Sequence, residues 1–130
     1  MLKKYFLIIL INASRNSLLV LIAWEAIKIT NVAGSVGLNL AFSNIFFLLA
    51  SSLSGLIVDK FGSNRVLIFS EFLWCSVLLL FVVLRFFQYC DSFIWLNIFS
   101  CILAIFTGMS ATATYSLLIL TAKNNNDSIN

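Results

Sequence analysis

Four runs of apolar residues, each about as long as the roughly 20 helical residues that cross a hydrocarbon core, dominate this chain and leave few ways to fold it. They cover about 5–27, 36–58, 66–87 and 93–120, with short polar breaks between them. Breaks of that length suit tight reversals between antiparallel neighbours. The runs must form helices, because in lipid every backbone N–H and C=O has to be satisfied within the segment or in a closed barrel. The expected fold class is therefore all-α and transmembrane, with about four antiparallel spans. They make one membrane domain over 1–123, followed by a polar tail over 124–130 that has nothing to pack against.

Composition closes off the soluble alternatives. Of the 130 residues, 62% are apolar and 10% charged, against about 25% charged in an ordinary soluble domain, which is too few to wet a surface. The net charge of +3 comes from eight scattered Lys and Arg residues, adjacent only at Lys3-Lys4, so no basic stripe for nucleic acid forms. Cys75, Cys90 and Cys101 show no CxxC spacing, which points to buried, unreactive thiols rather than a disulfide framework or a zinc site. Histidine, the commonest catalytic base and metal ligand, is absent. These features predict neither enzyme chemistry nor a cofactor.

Met1-Leu2-Lys3-Lys4 ahead of an apolar run is the pattern of a secretory signal. However, no small-x-small cleavage site follows, and Asn12-Ala13-Ser14-Arg15-Asn16 interrupts the run, so it is read as a retained helix. Positive charge marks the cytoplasmic side of a membrane protein. With the N-terminus inside, Lys3, Lys4, Lys60, Arg65 and Lys123 are cytoplasmic and only Lys28 and Arg85 lie outside. Both termini are expected in the cytoplasm, in a cell membrane of the bacterial inner type. Trp24 and Trp95 then fall at the outer interface, where aromatics anchor spans, while Trp74 lies within a span as packing.

The most informative local pattern runs from Gly55 to Ile68. Gly55 permits close helix approach, Gly62 can supply the positive φ of a tight reversal, and Lys60 and Arg65 hold the turn inside. Gly55, Ile57, Asp59, Lys60, Gly62, Arg65 and Ile68 fit the pattern G-x-L-A-D-R-x-G-R-R-R-x-x-L identically or by like residue. In this the segment resembles the loop between the second and third helices of major facilitator superfamily transporters. Ser63 and Asn64 depart from the pattern, standing where the family has two basic residues.

The resemblance implies a secondary transporter of efflux type, most similar to the drug- and siderophore-exporting branch. There, Asp59 and the loop cations would form a charge cluster biasing alternating access. A complete member has about twelve spans in two halves built of three-helix repeats, with substrate bound between the halves. This chain would supply the N-terminal third and would not transport alone. The alternative is a self-standing four-helix protein, either a dimeric small exporter or an accessory or immunity-type subunit. Small exporters carry a Glu in the middle of the first helix, where this chain has Arg15.

Within the first span Asn12, Arg15 and Asn16 share a helical face with Leu19 and Ala23. A guanidinium at mid-span costs about 2.5–3.5 kcal/mol on insertion scales. Two readings are open for Arg15, a place in a substrate or ion pathway and a snorkelling side chain satisfied by helix carbonyls or lipid phosphate. Glu71 is expected to pair with Arg65 or Lys60, and Glu25 to be a solvated end-charge. Ala104, Gly108, Thr112 and Ser116 form a small-xxx-small ladder and Ser51 with Gly55 a shorter one, both marking helix packing faces. Ser100, Thr107, Ser110 and Thr114 either line a cavity or bond their own helix, the second being favoured. The expected partners are the lipid bilayer, further transporter helices or a second copy, and an unidentified small-molecule substrate.

Overall fold

The computed structural model describes residues 2–87 and 92–127, with side chains described at residue 6 and over 9–87 and 92–120. Four helices follow one another: α1 (Leu2–Thr30), α2 (Gly34–Phe61), α3 (Ser63–Phe86) and α4 (Phe93–Asp127). At 1.5 Å per residue each reaches beyond the roughly 30 Å of a hydrocarbon core. Helices α2, α3 and the 93–120 part of α4 are also apolar enough to cross a membrane, with mean hydropathies of 1.8, 2.5 and 1.8. Helix α1 has the length. Between Lys4 and Glu25 it carries a single charged residue, Arg15.

Several boundaries lie beyond the expected ones, for one physical reason: loss of apolarity marks the edge of the lipid, not the end of a helix. Helix α2 continues through Asp59 and Lys60, and α3 begins at Ser63, so the seven-residue loop expected at 59–65 shrinks to Gly62 alone. Its φ of 85° is the left-handed conformation expected there. Helix α4 likewise runs on to Asp127, past the apolar limit at Leu120 and into the stretch expected to fray. The break at 88–91 and the last residues, 128–130, lie outside the described residues. Between α1 and α2, Asn31 adopts φ 55° and its N–H donates to the Ile27 carbonyl at 2.7 Å, closing α1.

The helices form an up-down-up-down bundle in which α4 is central and packs along both α2 and α3. Small and polar side chains share the interior with Trp74, Leu96, Phe99 and Leu103. Ser54, Ser70 and Ser110 are fully buried, as are Ala26 and Ala113. Most large apolar side chains face outward, with Leu56, Ile68 and Phe72 each about 70% exposed. A soluble domain buries such residues, and the inverted pattern is what a lipid-facing surface requires. Cys75 lies on this outer surface and Cys101 is half-buried, so the expectation of buried thiols does not hold for Cys75.

The two expected packing ladders behave differently. A Cβ on Gly108 would lie 2.7 Å from the Phe47 carbonyl oxygen and 3.1 Å from the Ser51 nitrogen, so only glycine allows α4 this close to α2. Thr112 continues the contact, its hydroxyl 3.2 Å from the Ser51 carbonyl. Ser116 turns instead toward α3, 2.8 Å from the Ser63 hydroxyl, and Ala104 lines a cleft. Gly55 is half-buried, but a Cβ there would meet nothing within 4 Å. Its expected role in close helix approach is therefore not realised. Replacing Gly108 with Val is expected to destabilise the bundle by about 1–3 kcal/mol through overpacking. Gly55→Ala should not destabilise it and should add up to about 1 kcal/mol through helix propensity. Reversible unfolding of the two variants in mixed micelles measures the contrast.

Candidate functional site

The polar face of α1 meets α3 and α4 at a single layer. Arg15 forms an ion pair with Glu71 of α3, and its Nη2 also donates to the Ser110 hydroxyl at 2.5 Å. Ser110 in turn reaches the Thr107 carbonyl of its own helix at 3.1 Å. The guanidinium lies 6.0 Å from the Trp74 ring, one helical turn along from Glu71. The side chains of Arg15 and Glu71 are 12% and 23% exposed, so the pair is largely shielded. Glu71 therefore takes Arg15 as its partner rather than Arg65 or Lys60. Helix α1 runs alongside α3 in parallel, which brings Arg15 level with the carboxylate, whereas Arg65 points outward at the start of Glu71's own helix.

Two clefts meet at this layer. The larger, about 250 Å³, is bounded by α1, α2 and α4 and floored by Trp74, with Asn39, Ser43, Ser100 and Thr107 among its lining. The smaller, about 160 Å³, lies between α1, α3 and α4 and includes Leu67, Glu71, Thr114 and Tyr115. Their linings place the larger one toward the end of the bundle that carries Trp24 and Trp95, and the smaller toward Gly62. Asn12 and Arg15 line both. The guanidinium and its carboxylate therefore stand between two hollows stacked along the bundle. Of the two readings left open for Arg15, snorkelling does not apply, because the side chain turns inward.

A second polar group went unnoticed in the sequence. The Asn39 amide donates to the Asn97 side-chain oxygen at 2.9 Å and to the Ser100 hydroxyl at 3.2 Å, tying α2 to α4 at the mouth of the larger cleft. The signal was Asn97, the one asparagine of the fourth apolar span, and Asn39, which shares the second with Asn44; an amide in lipid is costly unless a partner is found. Ser100, Thr107 and Thr114 each bond a carbonyl of their own helix at 2.8 Å and also line a cleft, so both expected roles are met. Glu25 is no lone end-charge. It pairs with Arg85 at 2.9 Å, about a third exposed on each side, where such a pair is worth about 1 kcal/mol or less.

Asp59, Lys60 and Arg65 are exposed around the Gly62 turn, and neither ion pair among the described residues includes them. The structure thus places these loop residues together at one end of the bundle, a few turns from the Arg15 layer. Among the described residues no group of His, Cys, Asp and Glu side chains has the arrangement of a metal site. Comparison with protein-family models, curated proteins and solved structures finds no match to this chain.

The ion pair makes a specific energetic prediction. Glu71→Leu leaves a buried guanidinium without its carboxylate and should cost about 3–5 kcal/mol, whereas removing both charges in Arg15→Leu/Glu71→Leu should recover most of that loss. Unfolding of the single and double variants in mixed micelles gives the coupling energy directly.

Proposed function

We propose that the chain is a membrane-embedded unit of a major-facilitator-type solute carrier, of efflux type. In this reading it works with further helices and has both termini in the cytoplasm of a cell membrane. The observation that carries the proposal is the Arg15–Glu71–Ser110 layer standing between two clefts. Ionisable side chains in a span are costly and mark substrate or ion paths when they face the bundle interior. Parting this one pair would join the two hollows into a path along the bundle. The Gly62 reversal supports the same reading, with its positive φ at the position where the resembling loop pattern requires glycine.

Helix α1 is the element left unfinished. It packs on α2 and α4 over less of its length than these two pack on each other, and its Leu19, Val20 and Leu21 are exposed beside the larger cleft. In the proposed carrier, further helices cover this side and complete the cleft.

Two measurements test the proposal. Reporter fusions after Lys123 and between Thr30 and Gly34 should place the first site in the cytoplasm and the second outside. Cross-linking in native membranes should trap the chain with other membrane-spanning segments, and purified monomer in liposomes should not move solute. Uptake catalysed by a chain that stays monomeric would overturn the proposal of an incomplete unit.

A further inference from the structure

The larger cleft contains two buried polar atoms that find no hydrogen-bond partner among the described residues: Nε of Arg15 and the hydroxyl of Ser43. Ser43 is 9% exposed, and both residues line the cleft. An unsatisfied buried donor costs about 1–3 kcal/mol, and here the two residues that carry them line one hollow from opposite helices, α1 and α2. A ligand that accepts from both would recover that cost.

From this arrangement we infer that the larger cleft binds an uncharged molecule with a hydrogen-bond acceptor carried on a flat, apolar body. The absence of net charge follows from the side chains. Arg15 is the one charged residue lining the cleft, and its charge is already met by Glu71, which lines the smaller cleft on the other side. An organic cation would therefore face the guanidinium with no carboxylate to receive it. An anion would compete with Glu71 for Arg15 and leave one carboxylate stranded in a poorly solvated site. A neutral carbonyl or hydroxyl takes the Nε–H bond and leaves the pair intact. The flat body follows from Trp74 as the floor and Phe47 on the wall. The volume of about 250 Å³ corresponds to about eight waters at roughly 30 Å³ each, enough for a single-ring molecule.

The inference deepens the proposed carrier role, since it rests on that reading for taking the ligand as the solute carried. Binding itself is testable without transport. The full chain in nanodiscs, with Trp24→Phe and Trp95→Phe, retains Trp74 as its one tryptophan. Three probes of nearly the same shape differ in charge: benzamide, benzoate and benzamidinium. Benzamide should change Trp74 emission saturably, and both ions should bind about tenfold more weakly or worse. Ser43→Ala should weaken benzamide about three- to tenfold, the loss of one hydrogen bond. Ala104→Leu, which fills the cleft from α4, should abolish the response and serves as the comparison if Ser43→Ala loses its helical spectrum. The inference is overturned by equal or tighter binding of either ion, by no saturable response to benzamide, or by an unchanged isotherm in a folded variant. Benzamide binding by a chain that cross-links to no further helices would sink only the carrier proposal. Cross-linking without benzamide binding would sink only this inference.

Discussion

Helices α1 and α3 do not pack against each other among the described residues, yet two ion pairs run between them, Arg15–Glu71 and Glu25–Arg85. The inner pair sets the arrangement of the rest. A guanidinium at mid-span is tolerated only when it faces the bundle interior and meets a counter-charge, and this fixes both the rotation of α1 and its height against α3. Asn12, one turn before Arg15, and Asn16, the residue after it, are carried into the cleft with it. Because the contact between α1 and α3 is made through long side chains rather than close backbones, space remains beside it, and the two clefts are that space.

The opposite strategy holds α2, α3 and α4 together. Lipid tails are as apolar as Leu, so helices in a bilayer gain little by hiding large side chains from the solvent, and they associate through close packing and interhelical hydrogen bonds. Gly108 brings α4 onto the backbone of α2, and the buried serines, Ser54, Ser70 and Ser110, let the axes stay near. Most of these hydroxyls bond carbonyls of their own helix, which satisfies them without holding a partner. Ser63 with Ser116, and Asn39 with Asn97, add polar ties between helices. The bundle therefore combines a tight three-helix part with one helix held at a distance by charge.

Much of this was legible in the sequence. Run length and the scarcity of charge dictate four lipid-bathed helices, and the positive φ at Gly62 follows from a glycine inside a polar break. The faces of the helices were less legible. A small residue every fourth position marks a packing stripe, but a Cβ at Gly55 would meet open space while one at Gly108 would meet a backbone, and only the three-dimensional packing distinguishes the two. The partner of Glu71 was unreadable for a similar reason. Arg65 and Lys60 are near in sequence, Arg15 is near in space, and the register between α1 and α3 that decides it is set by three-dimensional packing. The asparagines at positions 39 and 97 announced that each needed a partner, without saying which.

The turn at Gly62 carries charges that local physics does not favour. The C-terminal end of a helix is negative and the N-terminal end positive, each worth about 0.3–1 kcal/mol to a charge of the right sign. Lys60 in the last turn of α2 has the favourable sign. Asp59, beside it, and Arg65, in the first turn of α3, have the unfavourable one. Neither enters an ion pair among the described residues that would offset this. A bundle selected only for its own stability would gain by exchanging their signs. The arrangement makes sense when Asp59 and Arg65 are groups presented outward, at the end of the bundle where the smaller cleft lies, and this is where further helices of the proposed carrier would meet them.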